Sequence, residues 1–209
     1  MQAESGACAA MQGALEAGSL GTTYTSAQGL MLMIPPMYRI AGLLVPAVMH
    51  VAARSVATET VSIFGDHQDV MACRQIGWAQ LASSSVQEAM DLGALAHLAA
   101  IKGHVPVQHF FDGFRTSHEI QKIDVLDYDD LAKMVDWDEL KKFRDRALNP
   151  EHPTIRNTGE GDDTFFQHRE ACNPVYNAFP AVVEEYMEKM SLTISSSSSF
   201  PMSFPSSMS

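Results

Sequence analysis

A single acid near the start of the chain, Glu4, is the most informative candidate for chemistry. It stands directly before a run of small residues, SGACAAMQGALEAG, whose helical spacing ends near Gly18. Small residues at the start of a helix let a ligand come close, and an acid placed there can reach a bound group. Such junctions are typical of the carboxyl ends of strands in α/β sheets, where ligands bind. The strand that should precede Glu4 is almost absent, so we expect the chain to begin within a domain.

A second candidate, Arg54, follows the apolar run VMHVAA at the end of a predicted strand. A guanidinium is always charged, and its planar fork suits a carboxylate. From the residues alone, two structural uses remain open. Arg54 either caps the end of the strand or pairs with Glu59.

The segment GDHQDV, residues 65–70, combines two acids, a histidine and an amide at a predicted helix start. Asp66 or Asp69 can cap that helix, which is the simpler interpretation. The alternative is that Asp66 and His67 face a cleft or a partner subunit.

Several metal-ligand residue types also lie close together in the sequence, namely His104, His109, Asp112 and His118. They lack the helical spacing of an HExxH motif, and the first two histidines occur at odd intervals along a predicted strand. We therefore predict no metal site. The three cysteines are far apart and form no CxxC pair, which argues against a disulfide framework and against an iron–sulfur cluster on this chain.

The composition predicts a single globular domain of 209 residues. A formal net charge of -11 argues against nucleic acid or an anionic membrane as a partner. The most apolar stretch, residues 30–51, is interrupted by prolines and an arginine, so it is not a membrane span. We expect a reducing, cytoplasmic location, or an organellar one if a leader has been lost from the start.

Alternating apolar and amphipathic segments predict an α/β fold, with a mainly parallel sheet flanked by helices. Four segments have the composition of strands: residues 21–25, 45–52, 76–82 and 105–111. Helical spacing covers residues 26–41, with a break at Pro35-Pro36, and residues 85–102, capped by Ser84 or Ser85.

The second half of the chain is more charged. We predict one or two surface helices over residues 126–146, a loop over 149–163, and helix over 165–190 divided near Pro174 and Pro180. Residues 191–209 are rich in serine and are expected to be a disordered tail. The domain itself is expected to cover residues 1–190.

Six segments, in this order, resemble the first domain of the pyruvate:ferredoxin (flavodoxin) oxidoreductase family over residues 2–190. They are ESGACAAMQGALEAG, TTYTSAQGLMLMIPPMYRIAG, VMHVAARSVA, SIFGDHQDVMACRQIGWAQL, SSSVQEAMDLGALAHLAA and HFFDGFRTSHEIQKI. The resemblance implies the pyrimidine-binding fold of thiamine diphosphate enzymes. It also implies a homodimeric parent enzyme that converts pyruvate and coenzyme A to acetyl-CoA and carbon dioxide. Electrons would pass to ferredoxin or flavodoxin through iron–sulfur clusters on other domains, where the diphosphate and Mg²⁺ would also lie.

The same resemblance implies roles for two charged residues. Glu4 matches the glutamate that bonds N1′ of the cofactor's aminopyrimidine ring. A carboxylate there favours the imino tautomer, whose nitrogen takes up the proton of thiazolium C2. Arg54 matches the arginine that holds the substrate carboxylate.

Thr25, Gln28 and Gly29 match a T-x-S-Q-G-L turn that lies near the cofactor in this family. Here the order Thr25-Ser26-Ala27-Gln28 exchanges the small and the hydroxyl positions. We therefore expect Ser26 to cap a helix rather than to touch the cofactor.

The chain also departs from the family pattern. A family member starts some tens of residues earlier, and no iron–sulfur ligands and no diphosphate or Mg²⁺ site are found in this sequence. We therefore expect part of such an enzyme, lacking the first strand and helix of its domain and inactive by itself. Two alternatives stay open: a non-catalytic chain that associates with the full-length enzyme, and an unrelated metal-dependent hydrolase.

Overall fold

Four parallel strands form the centre of the molecule. The structure, a computed structural model, describes the backbone of residues 2–197 and the side chains of residues 2–191. The strands are β1 (Gly21–Thr25), β2 (Ala47–Ala53), β3 (Ala79–Ser83) and β4 (Val107–Asp112), in the order β1-β2-β4-β3. Each neighbouring pair is parallel, which confirms the predicted α/β fold. Because the strands run in one direction, their carboxyl ends meet at a single edge of the sheet.

Four helices from the first half of the chain contribute to the cluster that covers one face of the sheet: α1 (Glu4–Glu16), α2 (Ala27–Leu32), α3 (Ile34–Leu43) and α4 (Gln68–Ala72). Alternate residues of β2, among them Met49 and Val51, point to this face and are fully buried. They pack in one cluster with Leu15 of α1, Leu30 of α2 and Met37 of α3. This burial fixes where each of these helices begins relative to the strand ends.

The opposite face is covered by α5 (Val86–Gly103) and, outside it, by α10 (Asn173–Ser197). The Ser85 hydroxyl caps α5 by accepting a hydrogen bond from the Glu88 amide at 3.2 Å. Ser85 is one of the two serines predicted as the cap. A Cβ at Gly103 would lie 2.5 Å from the ring of Phe179. The bare glycine therefore lets α10 pack closely on α5.

The remaining helices are α6 (Arg115–His118), α7 (Tyr128–Met134), α8 (Trp137–Asp145) and α9 (Asp162–Ala171). Two of them, α7 and α8, lie in the segment for which one or two helices are predicted. Leu140 and Phe143 of α8 are buried in the first cluster. Among residues 2–197, no helix is both long enough and apolar enough to cross a membrane.

β2 and β4 begin two residues later than predicted, and three further differences have a local cause, which in two cases involves proline. The first predicted helix breaks at Met33 rather than at Pro35-Pro36, because Pro35 and Pro36 occupy the first turn of α3, where proline is tolerated. The strand predicted from Ile76 begins at Ala79, since Gly77 has a φ of +97° and still belongs to the preceding turn.

The third difference concerns Pro180, which lies inside α10 and does not divide it. The division near Pro174 is confirmed, because α9 ends at Ala171 and α10 begins at Asn173. The backbone of α10 is helical as far as Ser197, and residues 198–209 of the predicted tail lie outside the described residues. Disorder was predicted from residue 191, so this prediction stays open for residues 198–209 alone.

Candidate functional site

The carboxyl edge of the sheet brings together most of the side chains that the sequence singles out. Thr25 ends β1, Arg54 directly follows β2, and Asp112 ends β4. Glu4 is the first residue of α1, which packs against β1 and the short helix α2. Glu4 and Arg54 therefore lie at the same edge, and both adjoin residues 25–29.

Glu4, Thr25 and Gly29 converge on one point. A Cβ added at Gly29 would lie 2.8 Å from the Thr25 hydroxyl oxygen, 3.0 Å from Glu4 Cγ and 3.3 Å from Glu4 Oε1. The absent side chain at position 29 is what makes room for the glutamate. Within the described part of the chain no group donates a hydrogen bond to the Glu4 carboxylate, which is exposed and can accept one from a ligand.

Arg54 is half-buried and its guanidinium is directed towards β1. Its Nη2 donates a hydrogen bond to the Ser26 hydroxyl at 2.5 Å. The alternative pairing with Glu59 is not made, because Glu59 is exposed and none of the ion pairs among the described residues includes Arg54. The prediction that the Ser26 side chain caps α2 is also wrong: Ser26 occupies the cap position with an extended backbone, but its hydroxyl bonds Arg54 instead.

Asp69, a residue that sequence reasoning assigned only to capping, connects these two loops. Its carboxylate is fully buried and accepts hydrogen bonds at Oδ2 from the amides of Ala27, at 2.8 Å, and Arg54, at 3.1 Å. Oδ1 accepts from the Val70 amide at 2.7 Å. Ala27 has a φ of +46°, a left-handed conformation that is unfavourable for a residue with a Cβ. Asp69 thus holds a strained turn beside Gly29 and fixes the backbone of Arg54.

Two glycines let the loops around Arg54 come close. Gly65 forms an antiparallel bridge with Arg54, and a Cβ there would overlap the Asp112 carboxylate. A Cβ at Gly113 would lie 2.6 Å from Arg54 Cγ, and the Gly113 amide donates to Ala53 O at 2.9 Å. Asp112 in turn accepts a hydrogen bond from the Phe114 amide. The position of Arg54 is therefore fixed from both sides.

The other candidates at this edge are less tightly held. The Gln28 side chain is exposed. Asp66 accepts a hydrogen bond from the Gln68 amide at 3.0 Å, so it satisfies one amide in the first turn of α4. His67 is the cap residue of α4 by position and is exposed, with its ring 5.4 Å from that of Phe110 in an edge-on arrangement. Asp69 does not cap α4, because its carboxylate accepts hydrogen bonds from the amides of Ala27 and Arg54 in other loops.

The residues considered for a metal do not come together. His104 bonds Glu139, His118 bonds the Phe114 carbonyl, and Asp112 binds backbone amides. Among the described residues, no group of three or more histidines, cysteines or acids is arranged to hold a metal ion.

His109 belongs instead to a hydrogen-bonded chain beneath α5 that the sequence does not reveal. His109 Nε2 lies 2.7 Å from the Ser83 hydroxyl, and His109 Nδ1 lies 2.9 Å from His50 Nδ1. His50 Nε2 is 3.3 Å from His97 Nε2. Burial lowers the pKa of His97 and of His109 to about 4, helped by their histidine neighbours. His50 and His109 are opposite each other in the register of β2 and β4. The sequence alone does not show this pairing, because it depends on the order of the strands.

The edge thus combines one free carboxylate, one oriented guanidinium and a cradle of small residues. A carboxylate of this kind can accept a hydrogen bond from a ring N–H, and a guanidinium can bind an anionic substrate. Asp69 positions both loops without itself facing solvent.

Comparison with known proteins identifies close relatives. The sequence profile of a family described as pyruvate flavodoxin/ferredoxin oxidoreductase, thiamine diphosphate-binding, matches residues 1–188. The chain is 60% identical over 190 residues to pyruvate:ferredoxin oxidoreductase of Moorella thermoacetica, which covers 91% of this chain and 16% of that protein. It is 60% identical over 191 residues to pyruvate-flavodoxin oxidoreductase of Enterobacter agglomerans, with the same two coverages. A pyruvate dehydrogenase (NADP+) of Cryptosporidium parvum is 50% identical over 194 residues, covering 93% of this chain and 10% of that protein.

The chain therefore spans 16% of the length of these two bacterial relatives. The matched region includes the whole sheet and the edge that carries Glu4 and Arg54.

Proposed function

This chain belongs to the pyruvate flavodoxin/ferredoxin oxidoreductase family, and from that premise we propose that its edge site binds the aminopyrimidine ring of thiamine diphosphate. The observation that carries the proposal is the close approach of the exposed Glu4 carboxylate to the bare backbone of Gly29, beside the Thr25 hydroxyl. A flat ring with N–H groups fits next to a bare backbone and an unbonded carboxylate. The residues present thus suit this part of the cofactor.

Glu4 is proposed to hold the ring nitrogen by a charge-assisted hydrogen bond. A carboxylate at this atom stabilises the tautomer in which the ring's exocyclic nitrogen can accept a proton. Its place in the first turn of α1 supports the role, because an anion is stabilised at a helix N-terminus. When bound, thiamine diphosphate supplies a carbon nucleophile and an electron sink.

Arg54 is proposed to bind the carboxylate of a 2-oxo acid, with pyruvate as the substrate. Ser26 holds its guanidinium and Asp69 holds its backbone amide, so little side-chain freedom is lost when a substrate binds. Thr25 and Gln28 are proposed to lie beside the cofactor, and Asp66 and His67 to border the cleft or a subunit interface.

The parent activity is proposed to be the oxidative decarboxylation of pyruvate, with coenzyme A as acceptor of the acetyl group. Two relatives are named for pyruvate together with ferredoxin or flavodoxin, which we propose as the electron acceptors here. Iron–sulfur clusters, Mg²⁺ and the diphosphate site are proposed to be provided by other domains of a homodimeric enzyme. By itself this chain is proposed to lack redox activity.

A chimaera tests the proposal directly. The matching region of the Moorella thermoacetica enzyme is replaced by residues 2–190 of this chain, and pyruvate-dependent reduction of a viologen dye is measured. We expect activity in the chimaera. Glu4→Ala should slow deuterium exchange at thiazolium C2 of the bound cofactor by about 10²–10⁴-fold, as expected for loss of an acid–base group.

Arg54→Ala in the chimaera should raise the KM for pyruvate by about tenfold to more than a hundredfold, because a charge-assisted contact is lost. Arg144→Ala, at an exposed position on α8, is the matched control and should leave both measurements unchanged. Unchanged C2 exchange in the Glu4 variant would end the assignment of Glu4. An inactive but folded chimaera would contradict the proposed function as a whole.

A further inference from the structure

A large cleft lies at the opposite, amino-terminal edge of the sheet. It has a volume of about 1230 Å³ and is bordered by α3, the turn that precedes β3, residues 155–160, α9 and the start of α10. Ligand sites commonly occupy about 300–1,000 Å³, so a molecule of nucleotide size fits. Glu4 and Arg54 do not border this cleft, and no part of the proposed function uses it.

Four arginines line the cleft: Arg39, Arg74, Arg156 and Arg169. They are half of the arginines of a chain that has 25 acids and a net charge of -11. Surface arginines in so acidic a protein would be expected to find carboxylates. A concentration of cations on one concave surface is a feature that attracts anions.

None of these four guanidiniums forms an ion pair within the described residues. Arg39 donates to the Asn157 amide oxygen at 3.0 Å, Arg74 donates to the Met71 carbonyl at 2.7 Å, and Arg156 donates to the Arg146 carbonyl. Neutral acceptors leave each positive charge uncompensated and most of its donors unused.

Two acids near the cleft are already bonded to other groups. Glu160, the one acidic residue of the lining, is bonded to His168 at 2.6 Å. The buried Glu16 bonds Gln12 and Asn157 rather than an arginine. Burial and the charge of Arg156 lower the pKa of the neighbouring Arg146, consistent with a positive potential in this region.

Aromatic rings stand beside the cations. Tyr38 is 39% exposed and Phe165 is 59% exposed, and both line the cleft. Tyr176 donates its hydroxyl to the Gly77 carbonyl at 3.1 Å and forms part of the wall. Exposed rings next to guanidiniums suit a ligand that has an aromatic base as well as anionic groups.

We propose that this cleft is a second binding site, and that it takes a nucleotide-like ligand with two or more phosphate groups and an aromatic base. The phosphates lie against the arginines, because guanidinium forks bind phosphate oxygens in pairs. The base stacks on Tyr38 or Phe165. The site is separate from the edge where the cofactor's pyrimidine is proposed to bind, so either proposal can fail without the other.

The full 209-residue chain is titrated by calorimetry with ADP, inorganic pyrophosphate and adenosine. We expect ADP to bind more tightly than pyrophosphate, and adenosine to bind least, with an affinity for ADP that falls as salt is added. Arg39→Gln and Arg169→Gln should each weaken ADP binding by about ten- to a hundredfold. Arg144→Gln, an exposed arginine on α8 outside the cleft, is the matched control and should not change the affinity.

Amide chemical shifts of the wild-type chain, measured with and without ADP, locate the binding site even if a variant does not fold. With ADP the shifts should change at Gly77 and Gly159, which line the cleft, and not at Gly29. No binding of ADP or pyrophosphate, equal weakening by Arg144→Gln, or shift changes confined to the Glu4 edge would each overturn the proposal. Binding of a glutamate-rich peptide in place of ADP would also overturn it, because the cleft would then be a docking site for an acidic protein segment.

Discussion

Glu4 and Gly29 act as one unit, since the space that a side chain at position 29 would fill is bordered by the glutamate and by Thr25. Gly29→Ala places a methyl group against both, so we expect Glu4 to move and the unfolding free energy to fall by about 1–3 kcal/mol. Gly13→Ala is the matched control, because nothing lies within 4 Å of a Cβ there. That variant should be as stable as the wild type or gain up to about 1 kcal/mol from helix propensity. Urea unfolding measures both, and a Gly29 variant as stable as the Gly13 variant would contradict the close contact.

Substitution of Asp69 should also disturb the candidate site, because its carboxylate holds the backbone of Ala27 and Arg54. Asp69→Asn replaces one of two accepting oxygens by an amino group, so at least one charge-assisted bond to Ala27, Arg54 or Val70 is lost. We expect the unfolding free energy to fall by about 1.5–3 kcal/mol. Asp66→Asn keeps its single bond to the Gln68 amide and should change stability by less than about 0.5 kcal/mol. Equal stability of the two variants, measured by urea unfolding, would show that Asp69 does not hold the turn.

The position of most candidate residues at the carboxyl edge was predictable, because they follow strand ends or match a family motif. The partners of Ser26 and Asp69 were not, because each bond joins residues far apart in the sequence. Asp69 contacts Ala27 across 42 positions, and Arg54 contacts Ser26 across 28. A capping pattern is read from neighbouring residues only, whereas a buried carboxylate bonds whichever amides the tertiary fold places beside it.

At the scale of elements, the chain of histidines ties β2 and β4 to α5 and should make stability depend on pH. Burial lowers the pKa of His50 and brings the pKa of His97 and of His109 from 6.5 to about 4. Between these values the unfolded chain binds protons that the folded chain does not, so the unfolding free energy falls as the pH falls from 6.5 towards 4. Each of the two strongly shifted groups contributes up to about 3 kcal/mol.

Urea unfolding between pH 7 and pH 5 measures mainly the titration of histidines, because most carboxyl groups titrate below this range. We expect the wild type to lose stability over this range and His97→Gln to lose less, because glutamine does not titrate. His152→Gln, at an exposed loop position, is the control and should follow the wild type. A wild-type profile that is flat over this range would contradict buried, neutral imidazoles.

Element boundaries were predictable to within a few residues, and two of the errors have a common cause. A proline predicts a break in a helix, but Pro35 and Pro36 lie in the first turn of α3, and Pro180 is accommodated within α10. A proline removes one amide hydrogen bond, which has little consequence in a first turn and is offset by packing in a long helix. Phe179, Tyr186 and Met190 bury one side of α10 against α5, and this packing explains why the helix continues.

At the scale of the whole molecule, the alternation of apolar strands and amphipathic helices predicted the fold class, but not the strand order β1-β2-β4-β3. The strand order depends on the face of the sheet that each connecting helix covers. The two buried clusters determine those faces, and each cluster contains residues from many segments. The overall negative charge likewise gave no sign of the arginine-lined cleft. Its cations come from residues 39, 74, 156 and 169, which only the tertiary fold brings together.

An exposed aromatic ring marks β1, one of the two edge strands of the described sheet. Among the described residues β1 pairs with β2 alone, and Tyr24, the fourth of its five residues, is 72% exposed and stacked on His50. An edge strand with unpaired amides and carbonyls is a template for another strand, so we expect the chain to self-associate at high concentration through β1. Tyr24→Lys should weaken this self-association by at least about tenfold, because paired edge strands would bring two lysines together. Tyr128→Lys, at an 84% exposed position on α7, adds the same charge away from the edge and should leave association unchanged. Sedimentation velocity over a range of concentrations measures all three proteins. A wild-type chain that stays monomeric, or equal weakening by both lysines, would show that β1 does not mediate association.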